Sequence, residues 1–262
     1  DTDVRNFAAG LVTLGLTPEV QSERDGTFKF LGIYAKNREE WIVSDLASHL
    51  NSVTVVTFYD TLGDDTIGFV LDQTKLTTVA MEGKNLGKLN TLKKNEKSAN
   101  LQNIILFDID KEETIKESEE LGLKVYRYSE VIEAGKGKEV EFTPATSDTI
   151  ATFCYTSGTT GVPKGAMIHH GAVLADLTVL YYSDANLKPT DIHLSYLPLA
   201  HVMERVIFTA MILKSCAVGF STGNPAKLME DAQLLKPTVF VGVPRIYQRV
   251  HEVILQGIAK AG

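Results

Sequence analysis

TIATFCYTSGTTGVPKG, residues 149–165, is the stretch on which the fold turns. Its first six residues form an apolar run of the kind that makes a buried strand. The eleven that follow hold three glycines, the hydroxyls of Thr156, Ser157, Thr159 and Thr160, and one lysine. Gly158 and Gly161 let the backbone turn through positive φ, so that successive N–H groups can point into one concavity and hold an anion. The hydroxyls add donors at the rim, and Lys164 adds a mobile positive charge. Pro163 stiffens the loop and directs the lysine. The expectation is a strand running into a phosphate-gripping loop. A Walker A loop it is not, because Val162 and Pro163 separate Gly161 from Lys164, and no Ser or Thr follows the lysine. An ordinary Ser/Thr/Gly turn is the plain alternative.

Outward from this stretch, strand-like and helix-like segments alternate with short connections. Residues 28–34 read as a strand, and Asn37 with Glu40 three residues on reads as a capping box opening a helix through Trp41, Ile42, Leu46 and Leu50. A strand at 53–57, a helix at 66–72, strands at 77–81 and 104–107 and a helix at 111–121 continue the rhythm. Residues 133–148 lose it and read as a linker, dividing a first α/β subdomain, 1–145, from a second, 146–262, that carries the loop. Beyond the loop come a helix at 170–182, a strand at 192–196 and a helix at 201–213 with a one-sided apolar stripe. A strand at 216–220, a helix at 225–235, a strand at 238–241 and a helix from Pro244 follow. This alternation predicts an α/β fold, parallel-rich sheets flanked by helices. Trp41 and the aromatics near it fall at core spacing.

The balance of charge narrows the function classes. A net charge of −7 with no basic face argues against a nucleic-acid partner. The run of Lys93, Lys94 and Lys97 reads as a solvated helix end. Cys154 and Cys216 lie in apolar runs and read as two buried, reduced thiols, which fits an intracellular protein. No signal peptide is visible, and the most apolar stretch, 206–213, is too short to span a bilayer. Ser157 sits outside any Gly-x-Ser-x-Gly elbow, and His251-Glu252 lacks a second histidine, so neither a hydrolase triad nor a zinc protease motif forms.

YTSGTTGVPKG closely resembles the phosphate loop of the adenylate-forming, AMP-binding enzyme superfamily. SYLPLAHVMER at 195–205, VFVGVPRIYQRV at 239–250, GIYAKNREEW at 32–41 and VVTFYDTLG at 55–63 resemble its long-chain acyl-CoA synthetases. The likeness runs over nearly the whole chain. It implies an incomplete large N-terminal domain of the adenylate-forming fold, with the C-terminal part of the enzyme absent. The family's adenine, ribose and C-terminal lysine motifs do not occur in residues 1–262, and the chain begins with Asp1. The resemblance implies ATP-dependent activation of a long-chain fatty acid to its CoA thioester through an acyl-adenylate, with a piece of this length inactive alone. An aryl or medium-chain acid, or a non-catalytic nucleotide-binding fragment, stays open. ATP and CoA are the implied co-substrates, with Mg²⁺ held mainly by a residue outside this chain. Any membrane association, at the endoplasmic reticulum, peroxisome or mitochondrion, would run through segments outside it too.

The resemblance assigns phosphate binding to Thr156, Ser157, Gly158, Thr159, Thr160, Gly161 and Lys164. Lys164 and His201 are the catalytic candidates, and Tyr196, Leu199, His201 and Arg245 the acyl-binding ones. Bland alternatives stand beside three of these: a solvated charge for Lys164, a helix cap or packed ring for His201, and a surface ion pair for Arg245. Glu204, one turn beyond His201, is expected within its reach, but no third metal ligand is apparent. His169 and His170 have two readings, approach to a nucleotide or packing at a helix start. His49, His193 and His251 read as structural.

Overall fold

The computed structural model describes residues 2–22, 26–156, 163–182 and 186–261. Its elements run α1 (Thr2–Thr13), β1 (Glu19–Gln21), β2 (Thr27–Tyr34), α2 (Glu39–Leu50), β3 (Val53–Thr57), α3 (Asp64–Gln73), β4 (Thr78–Met81), α4 (Leu86–Lys94), β5 (Asn103–Leu106), α5 (Glu112–Glu120), β6 (Lys124–Arg127) and α6 (Tyr128–Gly135). They continue β7 (Ile150–Thr156), β8 (Lys164–His169), α7 (His170–Tyr182), β9 (Ile192–Ser195), α8 (Val202–Leu213), β10 (Ala217–Phe220), α9 (Leu228–Leu235) and α10 (Pro244–Ala261).

β3, β4 and β5 are buried at every residue, which is why they read as unbroken apolar runs without alternation. Helices on both faces make this so. Successive residues go to opposite sides: Leu31, Ile33, Val55 and Ala80 join one core with Phe7, Trp41 and Val131. Phe30, Tyr34, Val56 and Met81 join the other with Ile67, Leu71 and Leu89. Among the described residues the large sheet has the order β6-β5-β4-β2-β3-β7-β8, with β1 on β2. The neighbours β6–β5, β5–β4, β4–β2, β2–β3 and β3–β7 pair in parallel, and β8 runs antiparallel to β7. β2 lies between β3 and β4, so the chain turns from one side to the other at its C-terminal end, the place where open α/β sheets leave a crevice. β9 and β10 pair in parallel as a second, small sheet. The α/β, parallel-rich reading of the sequence is therefore what the chain adopts.

Local packing explains some residue choices. α1 and α6 cross so closely that a Cβ on Gly10 would run into the Val131 carbonyl, and one on Gly135 into that of Asn6. Lys93, near the end of α4, donates to the carbonyls of Ser98, Ala99 and Leu101 in the loop beyond the helix, which fixes that loop before β5.

Several expectations need correction. Residues 164–169 form β8 and pair with β7, where the sequence reading had only a loop leading to a helix. Their alternation is poor because this edge strand is largely exposed. Arg38 occupies the N-cap of α2, without a side-chain cap bond, and its guanidinium pairs with Glu40 and Asp108. Asn37 is used elsewhere. Residues 238–241 make a single bridge, His193 to Val239, in place of a strand. Cys216 is only half-buried, whereas Cys154 is buried; both thiols are free. β7 joins the large sheet through β3, and β8 joins it through β7. No described helix is long and apolar enough to cross a membrane.

Candidate functional site

The parallel neighbours β3 and β7 end on the same side of the sheet, and Thr156, Lys164 and the segment leading to His201 lie at their C-terminal ends. Thr156, the last residue of β7, stands directly opposite Lys164, the first of β8. The hairpin therefore places the lysine beside the start of the glycine-rich stretch. Tyr155 opposes Gly165, and a Cβ on Gly165 would sit 3.0 Å from the tyrosine ring. The last glycine of YTSGTTGVPKG thus packs tightly against a buried aromatic, whose hydroxyl donates to Gln73 at 2.7 Å. Ser157, Gly158, Thr159, Thr160 and Gly161 lie outside the described residues. Both Thr156 and Lys164 are exposed.

The segment carrying His201 is fastened to the same edge. Thr57, at the end of β3, donates to the Ala200 carbonyl at 3.1 Å, and the Cys154 thiol lies 3.9 Å from it. Three residues beyond the end of β2, Asn37 Nδ2 donates to the Leu197 carbonyl at 2.6 Å and to Ser195 Oγ at 2.9 Å, while its Oδ1 accepts from Leu199 N–H at 2.8 Å. His201 then caps α8, its Nδ1 accepting from Met203 N–H at 3.2 Å. The cap role and exposure coexist: Nδ1 is engaged by the helix N-terminus while the residue stays exposed.

Glu204 does not meet His201 as its spacing suggested. It is fully buried, and its Oε1 accepts from Ser195 Oγ at 2.6 Å and faces His193 Nε2 at 3.1 Å. His193 Nδ1 lies 3.2 Å from the Val239 carbonyl. Both ring nitrogens face acceptors, so a proton must lie between the imidazole and the carboxylate. The next residue, Arg205, pairs with Asp45 of α2 and covers the Trp41 ring at 5.4 Å. α8 is thus tied on one side to β9 and on the other to α2.

The acyl-binding candidates separate. Leu199 is buried in the core that holds Trp41 and Phe208, and its backbone N–H is what the site uses. Tyr196 stacks on Phe240 with centroids 5.3 Å apart, and burial pushes its hydroxyl up to about 12. A Cβ on Gly242 would come within 2.8 Å of that hydroxyl, so these three residues form one surface. Arg245 is exposed in the first turn of α10, and among the described residues no salt bridge involves it.

His170 opens α7 by packing edge-on against His49, ring centroids 4.6 Å apart. Burial, and then the neighbouring His49, push His170 down to about 4. The two rings, with Asp45 and Arg205, line one end of a cavity of about 310 Å³ whose other walls include Val173, Leu177, Val202 and Val206. His169 turns the other way, its Nδ1 2.8 Å from the Asp148 carbonyl. Among the described residues no group of three or more His, Cys, Asp or Glu side chains is placed to hold a metal ion.

Asn37, Thr57 and the Ser195–Glu204–His193 contacts were not singled out from the sequence. Asn37 did carry a signal, its place before an Asn-x-x-Glu pattern, but that signal pointed to a cap.

The model of the AMP-binding enzyme family matches residues 1–261. Fatty acyl-CoA synthetase B of Dictyostelium discoideum is 37% identical over 255 residues, covering 96% of this chain and 36% of that protein. Long chain acyl-CoA synthetase 4 of Arabidopsis thaliana is 34% identical, covering 88% of this chain and 35% of its own. The chain therefore spans about a third of the curated relatives it matches. Among solved structures, the adenylation domain of a carboxylate reductase from Mycobacterium chelonae superposes with a TM-score of 0.84 at 17% identity, over all of this chain and 41% of that one. The A-PCP didomain of a carboxylic acid reductase from Segniliparus rugosus, in complex with AMP, gives 0.81 at 21%. These superpositions speak to the fold.

Proposed function

The chain belongs to the AMP-binding enzyme family, and from that premise we propose that the protein activates long-chain fatty acids with ATP and passes them to CoA. The fatty carboxylate attacks the α-phosphorus of ATP, forming an acyl-adenylate as pyrophosphate leaves. The thiol of CoA, losing its proton, then attacks the acyl carbon and expels AMP. The observation that carries this reading is the meeting of two segments at one sheet edge. Thr156 and Lys164 flank the glycine-rich stretch there, and Ala200, beside His201, is bound to the end of β3.

In this reading Lys164 offsets the charge that builds on the departing pyrophosphate, where backbone donors and the hydroxyls of Thr156, Ser157, Thr159 and Thr160 replace water. His201 presents Nε2 to the carboxylate or the acyl-phosphate. The Tyr196–Phe240 stack and Gly242 make an apolar wall for the acyl chain, with Arg245 at its margin. Mg²⁺ travelling with ATP would be held by the phosphates and by residues outside this chain. The relatives named as fatty acyl-CoA and long chain acyl-CoA synthetases support the choice of acid. Two relatives are named as peroxisomal, which accords with an intracellular setting. CoA, fatty acid and ATP are the partners this assigns.

Carboxylate-dependent exchange of labelled pyrophosphate into ATP, run on the intact protein with long-chain, medium-chain and aryl acids, tests it. Exchange driven best by long-chain acids supports the reading. Exchange driven best by an aryl acid moves it to another acid, and none with any carboxylate overturns it.

A further inference from the structure

We infer that Asn37 is the positioning residue of the acid-activation site: its carboxamide sets the backbone of residues 195–199 and, through that backbone, the place of His201. This rests on the function proposed above, though the geometry stands without it.

One side-chain amide makes three bonds to a segment about 160 residues away in sequence, at 2.6, 2.8 and 2.9 Å. Its orientation is fixed by its partners. Leu199 N–H can only donate and the Leu197 carbonyl can only accept, so Oδ1 and Nδ2 cannot be exchanged. The two backbone bonds fall on either side of Pro198, which has no N–H of its own. The Pro198 carbonyl then accepts from His201 N–H at 2.8 Å, closing the turn into α8. Only that turn separates the Asn37 clamp from the imidazole whose Nδ1 caps the helix.

The third bond reaches deeper. Ser195 Oγ accepts from Asn37 and donates to Glu204 Oε1, which His193 also faces. The first turn of α8 therefore hangs from the same amide twice, through the Pro198 turn above and through Glu204 below. No other side chain offers a donor and an acceptor side by side at this length. Aspartate has the same shape but would set a carboxylate oxygen against the Leu197 carbonyl.

The test compares wild type, N37D and N37A in the intact protein. It reads the His201 imidazole nitrogens by NMR, the melting temperature, and the KM for acid and for ATP in pyrophosphate exchange. Expected is loss of the Nδ1-acceptor signature of His201 in both variants. The acid KM rises about tenfold or more while the ATP KM stays within about twofold. N37D is at least as impaired as N37A despite its matching shape. A wild-type His201 signature in N37D, or kinetic losses that only follow the loss of stability, overturns the inference. Absence of exchange in wild type counts against the proposed function alone, since the imidazole signature still decides whether Asn37 positions His201. Should N37A fail to fold, N37D carries the comparison.

Discussion

Thr156 and Lys164 are direct cross-strand partners in the antiparallel ladder of β7 and β8. The two ends of the glycine-rich stretch are thereby fixed side by side, with the lysine held by strand pairing at its backbone and exposed to solvent.

Lys164→Ala should slow acyl-adenylate formation by about 10²- to 10³-fold, the usual effect of removing one charge-stabilising group from a reaction centre. Transfer to CoA from preformed acyl-adenylate should slow much less, because pyrophosphate has already departed. Measuring the two half-reactions separately checks this, and equal slowing of both contradicts the role. Stability should move little, since the head is exposed.

Gly165→Ala should destabilise by about 1–3 kcal/mol, because the new methyl meets the Tyr155 ring at 3.0 Å. Combining it with Tyr155→Leu should recover part of that loss as a coupling between the two sites. Denaturant unfolding of the single and double variants reads the effect directly.

Asp45 and Arg205 are both more than nine-tenths buried and pair across α2 and α8. Removing one partner, as in Asp45→Asn or Arg205→Met, leaves an uncompensated charge or donor and should cost about 3–5 kcal/mol. Asp45→Asn with Arg205→Met together should cost distinctly less than the two singles summed, measured by the same unfolding curves.

His170, pushed down to about 4 by burial, and His49, lowered for the same reason, set a pH dependence. Their neutral forms are favoured in the folded chain, while the unfolded chain takes up protons near the ordinary histidine value. For His170 the stability is therefore full above about pH 6.5, falls as the pH drops toward 4, and levels off below, and His49 acts in the same direction. Asp45 and Arg205 face both rings, and Arg205 opposes their protonation. His170→Gln should flatten the melting temperature between pH 6.5 and 4. An unchanged slope would exclude His170 as its source.

Much of the frame was legible because its signals are local. β3 at 53–57 and α7 at 170–182 fall on the residues expected for them, an apolar β-branched run in one case and a start just past the loop in the other. β8 was not legible. KGAMIH has no alternating apolar face, since it lies largely exposed and is placed by its ladder to β7. Glu204 shows the same limit in a helix. Spacing placed it near His201, yet α8 packs on β9 and turns the carboxylate inward to Ser195 and His193.

By itself the sequence determined the class of fold and the family, because strand and helix periodicity and the YTSGTTGVPKG stretch are properties of neighbours along the chain. Tertiary structure alone decided who holds the site together. Asn37 satisfies every local rule for a helix cap, but hydrogen-bonding partners 158–162 residues away compete for the same amide and win, since three bonds in a half-buried turn outweigh one at a solvated helix end.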